Sequence, residues 1–136
     1  ACKRVGIHDY ISKLPKGYNT VINEENHLFT DGQIQLLAIA RALLTKAEIL
    51  LFDEVTSNID QSYTSEIGLV LRDLKVDHTI LMITHKPEMM ELADKVIVLD
   101  KGKIICKGKN DDVYEKCALY RDLRNRTFAS ISKNDD

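Results

Sequence analysis

Two stretches of the chain repeat apolar residues at the spacing of an amphipathic helix. The stronger stretch follows Thr30-Asp31-Gly32-Gln33, and its apolar positions are Ile34, Leu37, Ala38, Ala42 and Leu44. Because residues three and four apart share one helix face, this pattern predicts a helix that Thr30 or Asp31 caps at its N-terminus. The second stretch predicts an amphipathic helix from Gln61 to Lys75, with apolar positions at Tyr63, Ile67, Val70, Leu71 and Leu74.

Short, wholly apolar runs alternate with these helical stretches. Runs of this kind predict buried strands, and they are Ile49–Phe52, Thr79–Ile83 and Val96–Leu99. The turn at residues 100–103 predicts a hairpin between the third strand and Ile104–Lys107. Further helices are expected near Ile11, over Pro87–Leu92 and over Asn110–Arg124. Alternating strands and helices predict an α/β fold with a mainly parallel sheet that helices cover on both faces.

The composition mainly argues against certain partners and membrane-spanning segments. The 136 residues have a formal net charge of −2, which gives no broad electrostatic reason to expect nucleic acid or an anionic membrane as partner. No apolar run approaches the ~20 residues that a membrane-spanning helix needs. Cys2, Cys106 and Cys117 form neither a disulfide framework nor a zinc pattern, so we expect a reducing compartment. The chain begins without Met, and we expect it to be a piece of a longer polypeptide.

The candidate chemistry lies where the strands end. Asp53 and Glu54 directly follow the first strand, and two carboxylates there suit metal-assisted attack on a phosphate. Each candidate also has a simpler explanation: the acids as a polar strand rim, residues 57–60 as a turn, and His85 as a loop histidine. A phosphate-binding loop of the form G-x-x-x-x-G-K-[ST] does not occur in the sequence.

In combination, these segments resemble the C-terminal half of the nucleotide-binding (ATPase) domain of ABC transporters of the exporter type. Residues 29–33 lie on the signature motif Leu-Ser-Gly-Gly-Gln, 50–54 on Walker B, 57–60 on the D-loop and His85 on the switch histidine. The resemblance extends from about Ile7 to Tyr120, and its first part, including Leu14-Pro15-Lys16-Gly17, is similar to the exporters' helical subdomain.

The resemblance implies a P-loop NTPase-like partial domain of class α/β, a mainly parallel sheet flanked by helices. Residues 1–45 would be part of the helical subdomain with the signature helix, residues 46–128 the C-terminal part of the RecA-like core, and 129–136 a disordered tail. A transmembrane half in the same polypeptide, a second nucleotide-binding domain in a head-to-tail dimer, and a position at the cytoplasmic side of the cell membrane are implied as well, with no nucleic-acid partner.

The same resemblance assigns roles in binding ATP and Mg²⁺. Asp53 would orient Mg²⁺, Glu54 would be the general base, and His85 would contact the γ-phosphate. Thr30, Gly32 and Gln33 would reach across the dimer to the γ-phosphate. Asp31 and Asp60 are assigned to the same cofactor-binding set, and Asp60 would lie at the dimer interface and couple the two sites. The N-terminus of the signature helix adds free N–H groups for an anion. Without the phosphate loop, the chain by itself is expected to be inactive.

Asp31 departs most from the family pattern, because it replaces the first glycine of the signature motif. A carboxylate close to a triphosphate repels it, so we expect slow turnover at the site that uses this signature. Two alternatives therefore stay open. One is a degenerate, regulatory nucleotide-binding domain; the other is an ABC ATPase of the chromosome-maintenance or DNA-repair class, which the absence of heptad repeats before the signature disfavours.

Overall fold

The computed structural model describes residues 1–23, 27–57 and 59–131, and for 126–131 the backbone alone. Outside this range lie residues 24–26, Asn58 of the predicted turn and residues 132–136 of the predicted tail. The chain divides into two compact units, Ala1–Ile83 and Thr84–Asp136. Among the described residues, no helix combines the length and the apolar composition needed to cross a membrane.

The described residues of the first unit form three helices and two strands. Its helices are α1 (His8–Lys13), α2 (Asp31–Leu43) and α3 (Gln61–Leu74), with a 3₁₀ turn at Gly17–Asn19, and its strands are β1 (Ile49–Asp53) and β2 (Thr79–Ile83). The two strands pair in parallel, with Ile49 opposite Thr79 and Asp53 opposite Ile83. The predicted helices and strands are thus present, and α1 begins only at His8.

One face of the parallel pair is buried and the other is open. Leu50 and Phe52 point into the core, whereas Leu51 is 70% and Ile83 60% exposed. The prediction that both faces would be covered is therefore wrong, because the described residues supply cover on one side only. The apolar core of this unit contains Val5, Ile7, Ile11, Leu36, Ile39, Leu50, Phe52, Ile67, Leu71 and Leu74.

In the second unit, the part that the structure describes combines a hairpin with three helices. Its elements are α4 (Pro87–Met90), β3 (Lys95–Asp100), β4 (Lys103–Lys109), α5 (Asn110–Lys116) and α6 (Ala118–Ile131). The strands pair antiparallel, as predicted, with a register shift between Val98 and Leu99. Its core contains Met90, Val98, Val113, Cys117 and Tyr120.

Two predictions for this unit are wrong. The helix expected over Asn110–Arg124 is interrupted at Cys117, whose backbone is extended (φ −110°, ψ 100°). Cys106 and Cys117, expected to be unpaired, form a disulfide, because β4 and the end of α5 bring their Cα atoms to 6.4 Å. The argument from cysteine number to a reducing compartment therefore fails. Helix α6 also includes the first three residues of the predicted tail.

Candidate functional site

The start of α2 is a capping box. Thr30 Oγ1 accepts a hydrogen bond from the Gln33 N–H at 3.3 Å, and the Thr30 N–H donates to Gln33 Oε1 at 3.1 Å. Thr30 and Asp31 are exposed, Gln33 is half-buried and Gly32 is buried. The cap leaves the other N–H groups of the first turn without an intrahelical partner, so the helix start can receive an anion.

The segment that leads into α2 is held by Tyr10 of α1. The Tyr10 hydroxyl donates to the Leu28 carbonyl, and its ring packs edge-on against Phe29 with ring centroids 5.3 Å apart. Phe29 stands at the first position of the predicted signature motif. An aromatic residue at that position is therefore explained by its contact with α1.

The start of α3 is capped in a similar way by Asp60. Asp60 Oδ1 accepts hydrogen bonds from the Tyr63 N–H at 3.3 Å and from the Ser62 hydroxyl at 2.8 Å. The Thr64 hydroxyl donates to the Asp60 carbonyl at 2.9 Å. Asp60 stays exposed, so its carboxylate is fixed in direction and still accessible from solvent.

The two helix starts border one depression of about 470 Å³. It is lined by Phe29, Thr30, Asp31, Gly32, Ile59, Asp60 and Tyr63. Four of the predicted cofactor-binding residues, Thr30, Asp31, Gly32 and Asp60, are therefore brought together. None of the described residues that line the depression is Lys or Arg, so helix N–H groups and hydroxyls are the anion-binding groups that it offers.

The predicted catalytic acids lie at the carboxyl end of β1. Asp53 is the last residue of the strand, and both acids are exposed. The Glu54 N–H donates to the Ile83 carbonyl at 2.9 Å, and the Glu54 carbonyl accepts from the Ser57 N–H at 2.9 Å. Glu54 has a φ of +48°, in the left-handed region that non-glycine residues seldom adopt. Its backbone direction is thus set by β2 on one side and by the following turn on the other.

His85 belongs to the second unit and is exposed. Its two neighbours in the chain are hydrogen-bonded to each other: Thr84 Oγ1 accepts from the Lys86 N–H at 3.1 Å. This bond shapes the loop before α4. The acids belong to the first unit, so a shared role of His85 with Asp53 and Glu54 at the γ-phosphate stays a prediction.

Tyr63 is a residue of this region that the sequence did not single out. Its spacing placed it on the apolar face of α3, yet its ring lies against the buried Gly32 of α2 and lines the depression. The two residues are 31 positions apart, and no local pattern signals a contact at that distance.

Comparison with known proteins gives consistent matches. The family model described as ABC transporter matches residues 2–57. The chain is 36% identical over 129 residues to the ATP-dependent lipid A-core flippase of Saccharophagus degradans, covering 95% of the chain. It is 42% identical over 113 residues to the leukotoxin export ATP-binding protein LtxB of Aggregatibacter actinomycetemcomitans, covering 83% of the chain.

A solved structure described as a bacterial Atm1-family ABC exporter with ATP bound matches 93% of the chain, with a TM-score of 0.79 and 32% sequence identity. The chain spans 22% of that structure's chain and of the flippase, and 16% of LtxB. The chain therefore belongs to the ABC transporter family and corresponds to part of the ATP-binding domain of its exporters, with the α/β P-loop NTPase fold of that domain.

Proposed function

We propose that this chain contributes one part of the machinery with which a longer polypeptide hydrolyses ATP to drive export across a membrane. Membership of the ABC transporter family supports nucleotide binding. The names of the flippase and of the leukotoxin exporter support transport as the coupled process and speak against the DNA-repair alternative. Because the chain spans about a fifth of these relatives, hydrolysis and export belong to the proposal.

The geometry of Glu54 is the observation that carries the proposal. A left-handed backbone at a non-glycine residue costs on the order of 1–3 kcal/mol, and such strain is concentrated at functional sites. Glu54 keeps this conformation directly beyond β1, between its hydrogen bonds to Ile83 and Ser57. An exposed carboxylate fixed at the carboxyl end of a parallel strand suits a group that polarises the water attacking a γ-phosphate.

Asp53 fits a magnesium ion that arrives with ATP. Among residues 1–23, 27–57 and 59–131, no group of three His, Cys, Asp or Glu side chains could hold a metal by itself. Mg²⁺ usually takes one or two carboxylates together with phosphate oxygens and water, so a single exposed Asp53 is a suitable donor. Such an ion neutralises charge that develops on the phosphates. With such an ion bound, Asp53 would hold its water shell, Glu54 would accept the proton of the attacking water, and His85 would contact the γ-phosphate.

The depression at the two helix starts is the proposed contact with a second nucleotide-binding domain. In a head-to-tail dimer, Thr30, Gly32 and Gln33 face the γ-phosphate that the partner domain binds, and Asp60 couples the two sites. The fixed caps of α2 and α3 and the exposure of Thr30 and Asp60 support this role. Asp31 lies on the same rim.

The remaining parts of the proposal concern the longer polypeptide. Residues 1–45 form part of the helical subdomain, 46–128 part of the RecA-like core and 129–136 a tail. A transmembrane domain and a second nucleotide-binding domain are the partners, nucleic acid is not, and the domain lies at the cytoplasmic side of the cell membrane. The chain alone is inactive, because it contains no G-x-x-x-x-G-K-[ST] loop to hold the phosphates.

Asp31 favours a second candidate function, a regulatory domain that binds ATP and hydrolyses it slowly. Its carboxylate shares the depression with that of Asp60, and no basic residue is among the described lining residues. Two carboxylates near a triphosphate raise the electrostatic cost of bringing it there.

The test is the ATPase rate of the polypeptide that contains this chain together with a phosphate-loop half. We expect Glu54→Gln to lower kcat by about 100-fold or more, the loss typical of removing a general base. Glu48 is an exposed acid that directly precedes β1, at the end of the strand opposite to Glu54. Glu48→Gln is therefore the matched control, and its kcat should stay within about twofold of the parent value. Asp31→Gly should raise kcat if Asp31 slows the site.

The outcomes separate the two candidates. An active parent with an inactive Glu54→Gln variant supports the enzyme. A parent that binds ATP and shows no hydrolysis above the variant supports the regulatory domain. If Glu54→Gln retains half of the parent's rate, Glu54 is not the catalytic carboxylate; if Asp31→Gly is no faster than the parent, Asp31 does not limit turnover.

A further inference from the structure

The first turn of α2 and the first turn of α3 meet at Gly32 and Tyr63. A Cβ atom placed on Gly32 would overlap Cγ and Cδ1 of Tyr63 and would lie 2.7 Å from its Cβ. These three atoms are at the base of the tyrosine side chain, so a rotation of the ring's far end cannot relieve the overlap. Residue 32 is thus restricted to glycine because a larger side chain does not fit beside Tyr63. Backbone conformation is not the reason, since the φ of Gly32 does not lie in the left-handed region.

We propose that Tyr63 is a positioning residue for the signature segment: its ring occupies the place of a side chain at residue 32 and sets the distance between Thr30-Asp31 and Asp60. The contact is linked to both caps. The Tyr63 N–H donates to Asp60 Oδ1, and Gly32 lies between Thr30 and Gln33, which form the capping box of α2. Any change in the packing at Gly32 and Tyr63 therefore moves two capped helix starts relative to each other.

This inference rests on the proposed function and deepens it. Thr30, Asp31, Gly32, Asp60 and Tyr63 all line the same depression, so the spacing that Tyr63 sets is the spacing of the groups proposed to face the partner's ATP. Displacing a binding group by about 1 Å can cost on the order of 100-fold in rate. A competing explanation is that Gly32 is needed so that its backbone can approach a phosphate.

A pair of substitutions separates the two explanations. In the full polypeptide, Gly32→Ala should lower kcat by about tenfold to 100-fold. If the Tyr63 ring is the obstacle, combining it with Tyr63→Ala should restore kcat to within about threefold of Tyr63→Ala alone. Gly32→Ala combined with Tyr63→Phe keeps the ring and should stay as slow as Gly32→Ala. A double variant Gly32→Ala/Tyr63→Ala that is about tenfold or more slower than Tyr63→Ala alone would overturn the proposal and support phosphate approach.

A second readout does not depend on hydrolysis. The exchange rate of the Gln33 N–H, which donates to Thr30 Oγ1, should rise by about tenfold or more in Gly32→Ala and return toward the parent value when Tyr63→Ala is added. Tyr114→Ala, which removes a half-buried tyrosine from the second unit, is the matched control and should leave this rate unchanged. If Gly32→Ala leaves the exchange rate as in the parent, the proposal is wrong even where Glu54→Gln abolishes hydrolysis. If the parent hydrolyses no ATP, the proposed enzymatic function fails, and the exchange rates still decide whether Tyr63 positions Gly32.

Discussion

In the first unit, Thr30 and Asp60 each accept a hydrogen bond from the residue three positions later, whereas in the second unit Asn110 donates to carbonyls 20 and 17 positions earlier. The polar groups of the caps stay exposed, and Asn110 is only 9% exposed. A local cap fixes a side chain in direction without burying it, so the group can still bind a ligand. A side chain that is buried by long-range hydrogen bonds, such as that of Asn110, is not accessible to a ligand.

The second unit joins distant positions in several other ways. The Tyr120 hydroxyl donates to Asn110 Oδ1 at 2.9 Å, so the amide that bonds to Met90 and Ala93 is satisfied on both sides. Burial raises the pKa of Tyr120, which keeps its hydroxyl protonated as a donor. The disulfide adds a covalent link between β4 and the residue after α5. The difference indicates that the two helix caps of the first unit keep their polar groups exposed, whereas the second unit uses long-range bonds to hold its core together.

The largest effect that we expect concerns the disulfide. Cys106→Ser should lower the free energy of unfolding of the second unit by about 2–3 kcal/mol, because the bond closes a loop between residues 11 positions apart in the unfolded chain. The measurement is amide hydrogen exchange of β4 and α5, with α2 of the first unit as an internal reference.

Cys2→Ser, which removes the free thiol, is the control and should leave the exchange of β4 and α5 as it is. A reducing agent added to the parent chain should reproduce the effect of Cys106→Ser. If neither treatment accelerates exchange in the second unit, the covalent link contributes nothing to its stability and the contrast between the units weakens.

Local signals were sufficient to predict the cap of α2 and, to within two residues, the ends of the strands. The structure selects Thr30 from the two predicted caps, and β1 ends at Asp53, one residue beyond its predicted end. These features depend on side-chain-to-backbone bonds within three residues and on continuous apolar runs. The parallel pairing followed from alternating strands and helices, and it too is confirmed.

Local sequence signals could not predict contacts between residues far apart in the chain. The pairing of Cys106 with Cys117 depends on how β4 and α5 pack, and the break at Cys117 lies inside a run that reads as one helix. The contact of Tyr63 with Gly32 likewise joins two helices. Four residues that line the depression were predicted as a set from the family resemblance, namely Thr30, Asp31, Gly32 and Asp60. The tyrosine that lies against its glycine was not predicted.

A smaller effect should follow from removing the cap of α2. Thr30→Val keeps the shape of the side chain and removes Oγ1, so the free energy of unfolding of the first unit should fall by about 1 kcal/mol. Chemical denaturation of the chain, followed by circular dichroism, measures this loss. Thr30→Ser keeps the hydroxyl and should retain most of the stability. Equal losses in both variants would show that the hydroxyl is not the stabilising group.

Arg4, like Tyr10, departs from the local pattern of the first unit. Its guanidinium donates to both Asp77 oxygens, at 2.8 and 2.7 Å, and to Asp73 Oδ2 at 2.9 Å, across about 70 positions of the chain. The hydrogen bonds from Arg4 hold the pKa of Asp77 well below its usual range. A carboxyl group with a lowered pKa in the folded chain stabilises it above the pKa of the unfolded chain, and this contribution disappears as the pH falls through the folded value.

The smallest expected effect is therefore a pH-dependent one. Asp77→Asn should lower the denaturation midpoint of the chain at pH 7, and the difference from the parent should shrink as the pH falls below about 4. Because the carboxylate of Asp77 is 52% exposed, solvent and salt screen the pair, and the shift should be smaller than that of Thr30→Val. Asp100→Asn, with the same change in net charge in the second unit, is the control. If Asp77→Asn and Asp100→Asn change the midpoint equally, both at pH 7 and below about pH 4, the bond from Arg4 does not stabilise the first unit. Local caps then remain its main polar support.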